Sequence, residues 1–157
     1  MQVPVQEYPM NKNEITAGLQ LGLRSVTDMI RADDRAEVLF YIENKGEQPI
    51  PVLTWQLPLG GELTNDLFDI RIGDAALQYQ GSEIKRSALV ESDYTTIAVG
   101  ECREVVVNLS EYYELTVTGS YYVRLRTSGD KNTFLIDGVE AAIEVPIVGD
   151  NVTIVRE

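Results

Sequence analysis

The side chains open to chemistry in this chain are carboxylates, hydroxyls, one thiol and a few amines, because its 157 residues include no histidine. Without imidazole there is no HExxH zinc site, no Ser–His–Asp triad and no Cys–His pair, since each uses histidine as ligand or base. No GxxxxGK(S/T) or GxGxxG loop offers backbone amides to a phosphate, and Gly60-Gly61 reads as a turn. Paired carboxylates remain. Acid–base work needs two of them in one cleft with separated pKa values, and the candidates are Asp33-Asp34 and Asp66/Asp69. The first pair falls in an inter-strand turn, and strand phase points Asp69 outward, so both read as solvated acids. Asp130-Lys131-Asn132 comes nearest to a calcium loop but interrupts the acidic pattern with a lysine. Cys102 is the only cysteine, so no intrachain disulfide forms, and with no base to activate it the thiol reads as a small semi-buried hydrophobe at a strand start. These residues predict no catalytic group, no metal ligand set and no cofactor.

Recognition is better sought between the strands. Residues 80–93, QGSEIKRSALVESD, are long, mixed in charge and poorly periodic, and they carry the adjacent basic pair Lys85-Arg86. Two accounts stay open. One is a solvated edge segment whose charges deter pairing with other sheets. The other is a contact loop presenting Ile84, Lys85 and Arg86, with Asp93 and Tyr94 behind them, to a partner pocket. Asn108-Leu109-Ser110 and Asn151-Val152-Thr153 match the glycosylation pattern but lie in or beside strand-like runs.

The elements that must position these residues alternate with period two. Val38, Phe40 and Ile42 share one face of a run at 37–43, and Leu53, Trp55 and Leu57 share one at 51–57. Phe68, Ile70 and Ile72 follow, then Val105, Val107 and Leu109, then Tyr121, Val123 and Leu125. The run 139–147 repeats the pattern through Val139, Ile143, Val145 and Ile147. Leu19, Leu21 and Leu23 supply a first strand, and a phase slip before Val26 predicts a bulge near Ser25. Gly73-Asp74 predicts a two-residue hairpin, and Ser110 an N-cap for one helical turn over 111–115. The fold class is all-β, an immunoglobulin-like antiparallel β-sandwich of seven to nine strands. Trp55 is expected in the core on the third strand, Tyr121 at a tyrosine corner, and aliphatic packing around Phe40 and Val123 in place of the usual disulfide. Residues 1–13 are expected to fray, 14–148 to form the sandwich as a single domain, and 149–157 to be a tail.

Composition sets the outer limits. There are 25 acidic residues against 13 basic, for a net charge of −12, which repels nucleic acid and anionic membrane surfaces. No apolar run approaches the ~20 residues a membrane span needs, and no signal peptide is visible at the N-terminus.

An ordered set of short motifs adds a resemblance. It comprises NKGEQ at 44–48, Val52-Leu53-Thr54-Trp55, Pro58-Leu59-Gly60, Asp66-Leu67-Phe68, Ile84-Lys85-Arg86 and Asp93-Tyr94. It continues through Ala98-Val99-Gly100-Glu101, Val107-Asn108-Leu109-Ser110, Tyr113-Glu114-Leu115 and Gly119-Ser120-Tyr121. Taken in order, these resemble the N-terminal region of bacterial aspzincin metallopeptidases, the deuterolysin and peptidyl-Lys group. The resemblance implies a sandwich prodomain that assists folding of a zinc peptidase and holds it inactive, in a secreted or periplasmic setting. The HExxH catalytic half has no counterpart here. What the resemblance implies is therefore a protein partner, a zinc metallopeptidase, with Lys85 placed to suit a lysine-preferring cleft. The alternatives are a generic immunoglobulin-like module of an envelope or secreted assembly, recruiting a strand at a sheet edge, and a hydrolase or lectin using loop carboxylates.

Overall fold

The structure is a computed structural model, and it describes residues 18–31, 35–83, 91–127, 132–137, 142–149 and 151–157. In chain order the strands are β1 (Leu19–Ser25), β2 (Met29–Ile30), β3 (Glu37–Asn44), β4 (Ile50–Leu53), β5 (Phe68–Ile72) and β6 (Ala75–Ala76). They continue with β7 (Tyr94–Ile97), β8 (Cys102–Asn108), β9 (Gly119–Leu125), β10 (Thr133–Asp137), β11 (Ala142–Pro146) and β12 (Val152–Arg156). One sheet has the order β1-β3-β8, the other β2-β12-β9-β5-β6, with β4-β7 and β10-β11 as separate pairs. Pairing between these strands is antiparallel except between β12 and β2, and an isolated parallel bridge joins Leu21 to Ile147.

The period-two pattern explains the packing. Leu19, Leu21, Leu23, Val38, Phe40 and Ile42 face inward from the first sheet, and Phe68, Ile70, Tyr121, Val123, Leu125 and Ile154 from the second, all of them buried. Burying each such side chain stabilises the fold by ~1.5–3 kcal/mol before entropy is charged against it. Phe40 and Val123 are both fully enclosed in this shared core. The Gly73-Asp74 hairpin forms as expected, with Ile72 opposite Ala75 and Gly73 at φ 57°. The tyrosine corner is also present. The Tyr121 hydroxyl donates to the Val117 carbonyl at 2.7 Å and accepts from its N–H at 3.0 Å.

Several expectations are corrected. The irregularity expected near Ser25 falls just past it: β1 pairs with β3 in unbroken register from Leu19↔Asn44 to Ser25↔Val38, and then the Thr27 N–H donates to the Glu37 carbonyl at 3.0 Å, one residue out of that register. The phase slip marks a change of sheet: the chain leaves the first sheet at Ser25 and enters the second as β2. The run 51–57 is not one strand. It ends at Leu53 and gives way to the 3-10 turns Thr54–Gln56 and Pro58–Gly60, which place Trp55 in a half-buried turn rather than on a core strand. Asp69 does point to the outer face, yet it is buried, because two arginines close over it. The turn after β8 spans Leu109–Glu111, and its cap is Asn108, whose Oδ1 accepts from the Ser110 N–H at 3.2 Å. Residues 152–156, read as part of a tail, form β12 between β2 and β9. With β10 and two strands of only two residues each, the described residues hold twelve strands, not seven to nine. Asp33 and Asp34 lie outside the described residues.

One junction shapes the molecule. β3 runs into β4 and β7 into β8, so β4–β7 continues the β3–β8 ribbon past a corner. Asn44 sits in that corner fully buried. Its Nδ2 donates to the carbonyls of Gln48 (2.8 Å) and Ile97 (3.0 Å), and its Oδ1 accepts from the Gly46 N–H (2.9 Å). Both N–H donors and the amide oxygen are bonded, which is what permits a polar group at this depth.

Candidate functional site

The predicted contact segment begins and ends on well-held structure. Ile84, Lys85 and Arg86 lie outside the described residues. On the leading flank, the Gln80 N–H donates to the Tyr112 carbonyl at 2.8 Å, and the Tyr79 hydroxyl bonds the carbonyls of Leu63 and Ser82. The Tyr79 ring stacks on Tyr112 with centroids 6.4 Å apart and tilts against Tyr113 at 5.6 Å. Burial, with Tyr112, Glu83 and Asp66 nearby, pushes the Tyr79 hydroxyl up to about 12, so it stays a neutral donor. On the trailing flank Asp93 is buried and Tyr94 opens β7 opposite Leu53. Asp93 and Tyr94 thus sit on the described structure that follows the segment.

Beneath the tyrosines, Tyr113 closes an open piece of sheet. The Arg126 N–H bonds the Leu67 carbonyl at 2.9 Å, a register that turns the N–H and C=O of Phe68 away from β9. β6 is too short to meet them. The Tyr113 hydroxyl takes the Phe68 N–H at 3.2 Å and donates to Asp66 Oδ1 at 2.7 Å, while Asp66 Oδ2 pairs with Arg126 at 2.8 Å. Burial first, then the bond to Asp66, raises the Tyr113 hydroxyl well above the ordinary phenol range.

The candidate acids are therefore engaged in holding strands. Asp69 receives Arg71 Nε on one oxygen at 3.2 Å and Arg124 Nε on the other at 2.9 Å. Burial pushes its carboxyl up, but the hydrogen bonds and charges of Arg124 and Arg71 outweigh that and leave it below its ordinary value. A catalytic acid–base pair needs one member shifted the other way. Cys102 is exposed at the start of β8, not semi-buried as expected. Some loss of hydration, with Glu43 and Glu104 close by, raises its thiol, which lowers its thiolate fraction and hence its reactivity. Among the described residues no cluster of three acid or cysteine side chains could hold a metal ion. Of the calcium-like run, only Asn132 is described, and its Nδ2 donates to the Ile147 carbonyl at 2.9 Å. Among the described residues, Trp55 Nε1 and Asn65 Oδ1 are buried without a hydrogen-bond partner, both in the crossover between β4 and β5.

Sequence reasoning missed the edge-closing role of Tyr113 and the corner role of Asn44. The NKG run at 44–46 did carry a signal for the second, since an asparagine ahead of a turn often bonds its own backbone two residues on.

These elements define an immunoglobulin-like antiparallel β-sandwich. No family model matches the sequence. A stretch of 91 residues is 32% identical to an extracellular protease of Aeromonas hydrophila, covering 58% of this chain and 26% of that protein. The chain thus spans about a quarter of that relative's length. Among solved structures, a CARDB domain from Pyrococcus furiosus in complex with di-metal ions aligns over 83% of this chain and 87% of its own, at 14% identity and a TM-score of 0.35. The module is a β-sandwich with partial similarity to a protease.

Proposed function

We propose that this sandwich is a non-catalytic protein-binding module that engages a metallopeptidase in the manner of a prodomain, restraining or chaperoning it. The observation that carries the reading is the match to part of an extracellular protease, 32% identical over 91 residues. The ordered motifs that resemble aspzincin N-terminal regions support it, and so does a chain that carries no histidine to serve as a zinc ligand or general base. Mixing the protein with an aspzincin peptidase tests it. Co-elution on size exclusion and slowed peptide cleavage are expected. Unchanged cleavage with no complex at micromolar concentrations would end the reading. Lys85→Ala should weaken the inhibition if the 80–93 segment enters the cleft.

A second reading, an interaction module that captures a strand, is favoured by the edge of β8. The Leu109 N–H bonds the Ala36 carbonyl at 2.7 Å, a register that turns the backbone groups of Glu104 and Val106 away from β3. Among the described residues no strand pairs with that side. Val106→Pro would remove one outward N–H while sparing the ladder to β3. Partner binding that survives it unchanged would discard strand capture.

A further inference from the structure

We infer that the outer face of the five-stranded sheet, centred on Tyr122 and the Asp69-held guanidinium pair Arg71 and Arg124, docks an acidic, extended segment of a protein partner. The inference rests on the reading of the chain as a protein-binding module and says which surface does the binding and what chemistry it recognises.

The first observation is stoichiometric. Asp69 has an 8% exposed side chain, and both of its oxygens are taken by arginines that are themselves half exposed, Arg71 at 52% and Arg124 at 50%. One guanidinium would neutralise the buried carboxylate. Two leave the unit with a surplus positive charge, in a chain whose net charge is −12. A guanidinium carries five N–H donors. Arg124 commits Nε and Nη2 to Asp69 and Arg71 commits Nε, so among the described residues most of each fork is left to meet a further carboxylate.

The second observation is the surroundings. Tyr122 stands directly opposite Arg71 across β5–β9 and is 55% exposed, which is unusual for a tyrosine in mid-strand. On its other side it faces Thr153, with Val155 diagonally beyond and Met29, 43% exposed, next in line on β2. An apolar stripe from Met29 to Tyr122 therefore ends on the arginine pair. Crossing β2, β12, β9 and β5 at ~4.8 Å per strand makes it roughly 14 Å long, which suits about four to five residues of extended chain. Tyrosine and arginine together are the side chains that most often dominate protein interfaces. Because Asp69 already holds both arginines in place, little side-chain freedom remains to be lost on binding. An acidic segment with apolar residues between its carboxylates is the occupant whose charge this surface complements.

The test is an NMR titration of the whole chain with an end-capped peptide of alternating glutamate and leucine, beside a control with glutamine for glutamate. Saturable shifts of the Arg71 and Arg124 Nε–Hε signals and of the Tyr122 ring are expected with the acidic peptide, weakening as salt rises and absent with the control. Tyr122→Ala, a change at an exposed side chain, should raise the dissociation constant about tenfold, and Arg71→Gln at least about fivefold. Equal responses to both peptides, or shifts spread evenly over all arginines, would overturn the inference. So would saturation of the same signals by raising the protein concentration alone, which would make a second copy the occupant. The titration uses no protease, so failure of the peptidase complex with the native chain would count against the proposed function and leave this result standing.

Discussion

Removing a single oxygen, in Tyr113→Phe, should destabilise the fold by ~2–4 kcal/mol. The ring keeps its neighbours, the edge-on contact with Phe68 at 6.3 Å and the tilted one with Tyr79 at 5.6 Å, so no cavity term arises. What is lost is the cap on β5. The Phe68 N–H is buried and has the Tyr113 hydroxyl as its acceptor at 3.2 Å, and orphaning such a donor costs about 1–3 kcal/mol. Asp66 loses a charge-assisted bond of 2.7 Å but keeps Arg126 and is 34% exposed, so water makes good part of that loss, leaving roughly 1 kcal/mol. Urea unfolding should show a lower midpoint at unchanged slope, and heating a lower melting temperature, by ~2–4 °C per kcal/mol for a chain of this size. The Phe68 amide should exchange faster than its neighbours on β5. A loss below about 1 kcal/mol, with Phe68 exchange unaltered, would show that the hydroxyl does not hold this edge.

Other perturbations follow from the same contacts. Asp69→Asn should cost about 1–3 kcal/mol, since two guanidiniums lose their shared anion while remaining half exposed to water. The Asp69 carboxyl is held below its ordinary value of 3.8 in the fold, so its contribution is complete above that pH and is lost as pH falls below it. Native and variant proteins should therefore converge in stability towards acid, and parallel curves would refute the assignment. At the alkaline end the sign reverses. Tyr79 is raised from 10.0 to about 12 and Tyr113 is raised as well, so stability should be full below pH 10 and decline as pH climbs towards 12. A flat response between those limits would contradict it. Trp55→Phe removes a buried N–H that has no acceptor among the described residues, and should cost no more than about 1 kcal/mol. A loss above roughly 2.5 kcal/mol in chemical denaturation would reveal an acceptor at that nitrogen.

The sheet faces were legible because alternation is a property of the backbone itself, and Val38, Phe40, Ile42, Tyr121 and Val123 could not be placed otherwise. Local chemistry also announced the Gly73-Asp74 hairpin and the Tyr121 corner. Trp55 misled because the apolar spacing of Leu53, Trp55 and Leu57 fits a strand, while Pro58 and the two glycines behind it favour tight turns that end the extended run early. The slip at Val26 was visible as a local irregularity, but the change of sheet that accompanies it leaves no separate trace in one dimension. Asp69 escaped for a different reason. Its phase is outward, and only the cross-strand register that sets Arg124 opposite it explains its burial. The candidate contact residues divide likewise. Asp93 is buried and Tyr94 opens β7, whereas Ile84, Lys85 and Arg86 lie outside the described residues, and β12 went unread because its short alternation of Val152 and Ile154 gains meaning only beside Val123 and Tyr121.

The position of β12 has a consequence for how the chain is made. It fills the slot between β2 and β9, so Met29 and Ile30 meet partners more than a hundred positions away at Val155 and Arg156. During synthesis β9 and its neighbours emerge with one flank open and the seat of Ile154 empty, and they must wait for β12 to arrive. Pairings of such long range form slowly, and an unfilled sheet edge is prone to capture the wrong strand. A nascent chain halted before Val152 should therefore depend on a chaperone, whereas one extended past Arg156 should not.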